Sequence, residues 1–442
     1  MFRKNDFVNS PEIFVPLLAS LLMALLPFTS QADLAQGTTE ETKPAGLSTL
    51  HERLLTIDTH VDIPSDFATG NVDPGVWTDD PVSIPKMKKG ALDAAFFTVY
   101  VGQSARTPEN YAAAKATARN KFAAIHRMAE VLYPEDIEIA YSVDDIHRIN
   151  QAGRLVALIG IENGYAIGKD LSLLAEYHAQ GARYMTLAHS GHNDIADSSY
   201  PVAEFNDALV EHNGISEFGG KVIAEMNRLG ILVDVSHLSK KASLEAARLS
   251  VAPVIASHSS ARALFDLPRN MDDEQLAAVA DTGGVVNVVA YATYLRKVPA
   301  EKKKAIGKIE TDMGFTSMAA IGKATGRDLA EYRRRVIELD DTWPRATVSD
   351  FVDHIDHVIN TVGIDHVGIS SDFPSGGVSG WMEENEAMAV TEELQRRGYS
   401  EQEIGKIWSG NLLRALRAAE EIAACLQSER PRDPENHSCQ GG

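Results

Sequence analysis

Eight short apolar segments recur along this chain, and most of them are followed by a segment with the spacing of an amphipathic helix. A strand that is buried on both faces reads as a nearly continuous apolar run, as the strands of parallel sheets do. The repeat therefore predicts an α/β protein built as a (β/α)8 TIM-type barrel. The predicted strands are Leu54–Asp62, Leu92–Gly102, Leu155–Ile161, Ala182–Ala188, Ile231–Ser236, Pro253–Ser257, Gly284–Ala290 and His366–Ser371. A doubly wound open sheet is the alternative, but no Gly-x-Gly-x-x-Gly follows the first strand.

Ionisable side chains stand at the ends of these predicted strands. In a βα barrel the carboxyl ends of the strands meet at one rim, and catalytic residues lie there. Six predicted strands end in Asp, Glu or His and a seventh ends in Tyr: Asp62, Glu162, His189, His237, His258, Tyr291 and Asp372. His60 precedes Asp62 by two positions, and the period of a strand puts both side chains on one face. The rim is therefore the candidate functional site.

Five of these residues form a set that is typical of zinc sites: His60, Asp62, Glu162, His237 and His258. Imidazole nitrogens and carboxylate oxygens are ordinary zinc ligands. A carboxylate is the natural group to bridge two cations, and Glu162 stands between the two halves of the set. Two metal ions roughly 3.5 Å apart deprotonate a water that lies between them. A single His at a strand end is more often structural, but five such residues at one rim indicate a binuclear metal site.

A charged segment, residues 296–341, interrupts the repeat between the seventh and eighth predicted strands. It contains Lys302–Lys304 and Arg333–Arg335 and has a helix-forming composition. A pair of solvated helices is one interpretation, and a lid or a subunit contact is the other. The whole chain has a formal net charge of −20, which disfavours nucleic acid and anionic lipid as partners.

The first 32 residues have the pattern of a secretory signal peptide. The apolar run Ile13–Phe28 follows Arg3 and Lys4, and a small-x-small cleavage site ends at Ala32. An uncleaved anchor is the alternative, but Pro16 and Pro27 interrupt the run. The boundaries that follow are 33–48 for a flexible leader, 49–424 for the barrel domain and 425–442 for a polar tail. We expect a secreted, periplasmic protein without a stable membrane anchor after cleavage, in which Cys425 and Cys439 could pair.

A series of motifs resembles the membrane (renal-type) dipeptidases, within the wider amidohydrolase group. The motifs occur in the family's order and span about Leu54 to Leu416: Ile57–Pro64, Gly160–Gly164, Thr186–His189, Val233–His237, Val254–Ala261, Arg269–Asn270 and Gly368–Phe373. The resemblance implies a binuclear zinc dipeptidase on a βα barrel, usually a homodimer. It implies two zinc ions per chain, with Glu162 as the bridge, His60 and Asp62 on one ion, and His237 and His258 on the other.

Further roles follow for residues near the expected metals. His189 is placed to stabilise the oxyanion, and Asp372 to move a proton from the attacking water to the leaving amine. Arg269, with Tyr291 nearby, could bind the free carboxylate of a dipeptide. The alternative for Arg269 is a surface ion pair with a neighbouring aspartate. The chain departs from the family in its long insertion and in Phe373–Gly376, where the family often has a second Asp.

Two other functions use the same residues. The metals could act on another carbonyl or phosphoryl ester, such as a lactone or a β-lactam. A non-catalytic binding protein that kept the barrel is a third interpretation, and the intact metal set with Asp372 argues against it.

Overall fold

The computed structural model describes residues 50–428, except 318, 319, 321 and 322. Its strands are β1 (Ile57–Asp62), β2 (Ala94–Tyr100), β3 (Ile137–Ile139), β4 (Leu155–Glu162), β5 (Ala182–Thr186), β6 (Leu232–Asp234), β7 (Val254–Ser259), β8 (Val285–Val289) and β9 (Val367–Ser370). Eight of them lie parallel in the order β1-β2-β4-β5-β6-β7-β8-β9. The amide of Asp62 donates to the carbonyl of Phe373 at 2.7 Å, and that of Asp372 donates to His60 at 3.1 Å. These bonds join the last strand to the first, so the predicted eight-stranded barrel is confirmed.

Strand β3 was not predicted from the sequence. It pairs with the first residues of β4, from Leu155 to Ala157, before β5 takes the place beside that strand. It is three residues long and carries Glu138 at its centre. Such a short segment gives no continuous apolar run to recognise.

The helices alternate with the strands as the repeat predicts. They are α1 (Ile84–Gly90), α2 (Pro108–His126), α3 (Val143–Gln151), α4 (Leu173–Ala179), α5 (Glu217–Leu229), α6 (Lys240–Leu249), α7 (Asp273–Asp281), α8 (Ala292–Leu295), α9 (Ala300–Met313), α10 (Gly326–Glu338), α11 (Val348–Val362), α12 (Met388–Arg396), α13 (Glu401–Gly405) and α14 (Asn411–Gln427). Side-chain caps fix several starts, among them the capping box of Ser400 with Glu403 at α13. Helix α14 continues past the predicted domain end at residue 424.

The insertion contains α9 and α10, and it is not a pair of freely solvated helices. Lys302 is 6% exposed, and its Nζ bonds the carboxylate of Asp340 at 2.5 Å and the carbonyl of Trp343 at 2.7 Å. Tyr332 donates to Glu310 at 3.2 Å, which joins α10 to α9. These contacts hold α9, α10 and the segment after α10 together.

No helix within residues 50–317 or 323–428 has the length and apolar character needed to cross a bilayer. The predicted signal peptide, the leader and Cys439 lie outside the described residues.

The packing of the helices around the barrel depends on a buried histidine. His51 Nε2 donates to the carbonyl of Gly90 at 3.0 Å, so its Nδ1 accepts from the hydroxyl of Thr391 at 2.6 Å. The same hydroxyl oxygen accepts from the indole of Trp408 at 2.8 Å. Burial lowers the pKa of His51 to about 4. The fold therefore requires a neutral imidazole at this position.

His51 should make the fold less stable in mild acid. The unfolded chain protonates this residue below about pH 6.5, whereas the folded chain stays neutral until about pH 4. Stability is therefore lost as the pH falls through this window. We expect wild type to lose about 2 kcal/mol more than His51→Gln between pH 7 and pH 5. Urea denaturation of both metal-free proteins measures this difference, and equal losses would contradict it.

Candidate active site

The predicted rim residues converge on one pocket of about 240 Å³. The barrel strands and the segments that follow them contribute Asp62, Tyr100, Glu162, His189, Ser190, His237, His258, Tyr291, Tyr294, Asp372 and Ser375 to its walls. The insertion contributes Glu310, Phe315, Leu329 and Tyr332. The insertion therefore covers the mouth of the barrel and forms part of the site, as expected for a lid.

Glu162, the last residue of β4, lies at the centre of the pocket. Its Oε1 is 3.1 Å from His237 Nε2 and 3.4 Å from His258 Nε2. His189 Nε2 lies 3.4 Å from the same oxygen. The other oxygen, Oε2, is 3.5 Å from His60 Nε2. One carboxylate thus faces imidazoles on both sides, which is the geometry of a bridging ligand.

His60 faces the acidic side of the pocket. Its Nε2 is 3.8 Å from Asp62 Oδ1 and 4.0 Å from Asp372 Oδ1. Three groups of side chains bring their ligand atoms close enough to hold a metal: His60 with Glu162 and His258, Glu162 with His189 and His237, and His60 with Asp62 and Asp372. All five predicted ligands are therefore together. His189 and Asp372 lie close enough to belong to the same clusters.

A tyrosine beneath β1 sets the tautomer of His60. Tyr184 donates its hydroxyl to the carbonyl of Thr59 at 3.1 Å, so its oxygen accepts from His60 Nδ1 at 2.9 Å. With the proton on Nδ1, the lone pair of Nε2 points towards Glu162. Burial lowers the pKa of His60, but Glu162, Asp62 and Asp372 outweigh it and raise the pKa to about 9. A metal ion at this site would have to displace the proton that these carboxylates attract.

A second chain of hydrogen bonds orients His258. Ser257 Oγ donates to Asp234 Oδ2 at 2.5 Å and accepts from His258 Nδ1 at 2.7 Å. Nε2 of His258 is again the nitrogen that faces Glu162. Thr186 Oγ1 donates to the same oxygen of Asp234 at 2.5 Å. The sequence did not indicate this role of Asp234, because Asp234 orients His258 only through the hydroxyl of Ser257 on the neighbouring strand.

The backbone is left-handed at three residues beside the pocket. Asn163, His237 and Asp372 have φ values of 82°, 67° and 60°, a region that side chains other than glycine rarely adopt. Each comes directly or within a few residues after a barrel strand. In this conformation the side chains of His237 and Asp372 line the pocket. Strained backbone conformations of this kind cluster at functional sites.

The charges of the pocket suit a divalent cation. Burial lowers the pKa of His237, His258 and His189, so these imidazoles are neutral. Burial, with Glu162 nearby, raises the pKa of Asp62 to about 6 and that of Asp372 to about 8. Among the described residues, His60 Nε2 and Asp62 Oδ1 are buried without a hydrogen-bond partner. Neutral imidazoles and closely spaced carboxylates, with ligand atoms that make no hydrogen bond, fit a site for metal ions.

Arg269 lies beneath the pocket and is not a surface residue. It is 2% exposed, and it donates to Ser259 Oγ at 2.8 Å and to the carbonyl of His258 at 2.5 Å. Its Nε is buried without a hydrogen-bond partner in the part of the chain that is described. Its guanidinium carbon is 5.4 Å from the ring centre of Tyr294. The alternative of a surface ion pair with a neighbouring aspartate is therefore excluded.

Of four tyrosines at or beside the pocket, the sequence predicted Tyr291 and did not indicate Tyr100, Tyr184 or Tyr294. Tyr100 ends β2, and its ring centre lies 5.0 Å from that of His189. The predicted strand ran to Gly102, two residues beyond the true end. Tyr100 therefore looked like an interior strand residue and not like a residue of the rim. Tyr184 lies inside β5 and gives no such signal. Tyr291 lines the pocket as predicted, with Tyr294 4.5 Å away between ring centres.

Two buried residues outside the ligand set support the barrel. Asp58 accepts from the amides of His60 at 3.1 Å and Ser371 at 3.0 Å, so it ties β1 to the end of β9. His354 has a structural role, because it accepts from the amide of Ala261 at 3.0 Å and bonds the carbonyl of Leu295 at 2.9 Å.

Comparisons with known proteins agree with this geometry. The family model described as membrane dipeptidase, peptidase family M19, matches residues 45–430. Dipeptidase tcpJ of Claviceps purpurea is 31% identical over 356 residues, which cover 79% of this chain and 72% of that protein. Dipeptidase aclJ of Aspergillus oryzae is 32% identical, with 79% and 72% covered.

A solved structure supports the same assignment. The crystal structure of the probable dipeptidase PvdM from Pseudomonas aeruginosa is 32% identical and covers 85% of this chain and 98% of its own, with a TM-score of 0.75. The family match spans all of the described residues and every motif of the pocket. The chain is therefore a member of the membrane dipeptidase family, peptidase family M19, the class of hydrolase that its motifs predict.

Proposed function

We propose that this protein hydrolyses the peptide bond of dipeptides with two zinc ions, bridged by Glu162. The observation that carries the proposal is the position of the Glu162 carboxylate, with one oxygen 3.5 Å from His60 and the other 3.1 Å from His237. Family membership supports the reaction class. The nature of the donor atoms supports zinc.

The metal ligands in this proposal are the five residues of the predicted set. His60 and Asp62 hold one ion, His237 and His258 hold the other, and Glu162 binds both. Bound zinc ions lower the pKa of water and polarise a carbonyl oxygen. Tyr184 and the Ser257–Asp234 pair keep His60 and His258 in the tautomer that leaves Nε2 unprotonated.

Arg269 and His189 would position the substrate. A guanidinium carries five N–H donors, and two of those on Arg269 bond Ser259 and His258. The remaining donors, Nε among them, are available for the carboxylate at the C-terminus of a dipeptide. His189 lies at the pocket wall, where an imidazole N–H can stabilise the oxyanion that forms when the scissile carbonyl becomes tetrahedral.

Asp372 would move the proton. Its carboxylate lies in the pocket beside His60, and burial raises its pKa, which favours the protonated form that a general acid needs. It takes a proton from the attacking water at Oδ1 and gives it to the nitrogen of the leaving amine. An amine leaves poorly without that proton, so this transfer is required for turnover.

Arg269→Lys tests substrate recognition. Lysine keeps the charge but loses the planar fork, so it cannot hold both the His258 carbonyl and a carboxylate. We expect the ratio of kcat/KM for a dipeptide to that for its C-terminal amide to fall roughly 10-fold or more, mainly through KM. Loss of metal would lower both rates together, so the ratio isolates recognition. An unchanged ratio in metal-loaded protein would assign the carboxylate to another group.

We also propose that the protein is exported to the periplasm and forms a homodimer. Export rests on the signal-peptide pattern of residues 1–32, and the dimer rests on family resemblance alone. Cell fractionation tests the first statement. Light scattering tests the second, since a particle no heavier than the 48.0 kDa of the whole chain would be a monomer.

A further inference from the structure

A second cavity, of about 310 Å³, lies beside the active-site pocket beneath the insertion. Four residues line both spaces: Tyr291, Glu310, Tyr332 and Ser375. We call this second space the side chamber. Its other walls come from α9, α10 and the loop after β9. It borders the reaction site directly, so a group of the substrate could reach it.

The side chamber is cationic, whereas the active-site pocket is acidic. Lys302, Lys303, Arg333 and Arg345 line its walls, and Glu310 is the carboxylate among its lining residues. Lys302 Nζ and Arg345 Nε both bond Asp340 at 2.5 Å, so one carboxylate serves two cations. Lys303 forms no ion pair with any residue of the described ranges. The chamber therefore carries an excess of positive charge.

Arg333 contributes a buried hydrogen-bond donor that has no partner among the described residues. Its terminal nitrogen donates to the carbonyl of Met382, but its Nε is buried and has no hydrogen-bond partner among the described residues. The acidic neighbour that most affects it is Glu383, which is already paired with Lys86 at 2.9 Å. A buried donor without a partner costs the free protein stability. An anion in the chamber would remove that cost.

The active-site pocket and the side chamber would bind different parts of a substrate. At about 240 Å³ the pocket alone is smaller than the ~300–1,000 Å³ of most small-molecule sites. Arg269, the proposed partner of the C-terminal carboxylate, contacts His258 and Tyr294, which line the active-site pocket and not the chamber. An anion in the chamber therefore belongs to the other end of the dipeptide.

We propose that the side chamber binds a carboxylate carried on the side chain of the substrate's N-terminal residue. This proposal rests on the dipeptidase activity proposed above and specifies its substrate class. Lys303 and Arg333 supply the charge, and the insertion, by forming the chamber, sets the preference. Neutral dipeptides still reach the metal ligands and Arg269, but they bring no negative charge to Lys303 or to the unpartnered Nε of Arg333.

Matched substrates test the proposal. We expect kcat/KM for L-Glu–L-Ala to exceed that for the isosteric L-Gln–L-Ala by ~10-fold or more. Arg333→Gln and Lys303→Gln should each bring this ratio towards one while leaving L-Gln–L-Ala turnover unchanged. The controls are the outward-facing neighbours Arg334→Gln and Lys304→Gln, which should keep the wild-type ratio. The reversed pair, L-Ala–L-Glu and L-Ala–L-Gln, should show no dependence on these residues.

The outcomes separate this inference from the proposed function. Turnover of all four dipeptides with a Glu to Gln ratio near one would overturn the side-chamber assignment and leave the dipeptidase intact. Absence of turnover for every dipeptide would overturn the proposed function. Calorimetric binding of L-Glu–L-Ala and L-Gln–L-Ala to zinc-loaded protein tests the chamber without turnover. Equal affinities there would contradict the inference.

Discussion

Asp372→Asn is expected to lower kcat on a good dipeptide by ~10²–10⁴-fold, the usual contribution of a general acid–base. Asparagine keeps the size of the side chain but cannot accept a proton and pass it to the leaving amine. Zinc content and KM should change little, because the proposed main ligands and Arg269 are intact. Steady-state kinetics with elemental analysis of the same sample measures both.

The matched control for this variant is Asp281→Asn, which removes an exposed carboxylate at the end of α7. It should keep the wild-type kcat. Near-normal kcat in Asp372→Asn with full zinc content would mean that another group carries the proton. A large loss of zinc would mean instead that Asp372 is a metal ligand. Its Oδ1 lies 4.0 Å from His60 Nε2, close enough for one ion to bind both atoms.

Glu162→Gln is expected to remove both metal ions together, from about two zinc ions per chain to almost none. Its two oxygens face the two halves of the ligand set, at 3.5 Å from His60 and 3.1 Å from His237. An amide carries no charge and offers one acceptor oxygen, so it cannot replace a bridging carboxylate. Activity should fall to background as the metals are lost.

His258→Ala is the informative comparison for Glu162→Gln. It removes one ligand of one proposed ion, so it should weaken that ion and leave about one zinc per chain. Elemental analysis after dialysis against trace zinc distinguishes the two results. Retention of one ion by Glu162→Gln would show that Glu162 does not bridge.

The barrel and its rim could be predicted because their signals are local. A buried parallel strand reads as an apolar run, and the ionisable residue after it marks the rim. His60, Asp62, Glu162 and His258 were found in this way and lie together. His237 was found too, although β6 ends at Asp234 and a left-handed turn brings the imidazole to Glu162.

Contacts between distant segments could not be predicted. Tyr184 acts on His60 from four strands along the chain, and Asp234 acts on His258 through the hydroxyl of Ser257. Their roles depend on which strands become neighbours. The insertion reads as a solvated charged segment, because burial of Lys302 depends on Asp340, which lies far from it in the sequence.

We infer that two zinc ions together make this protein a dipeptidase. Titration of metal-free protein with zinc, followed by release of free amino acids from an unblocked dipeptide, tests it most directly. We expect the rate to rise to a plateau at about two equivalents of zinc per chain. A plateau at one equivalent, or no release from any dipeptide at saturating zinc, would contradict the claim.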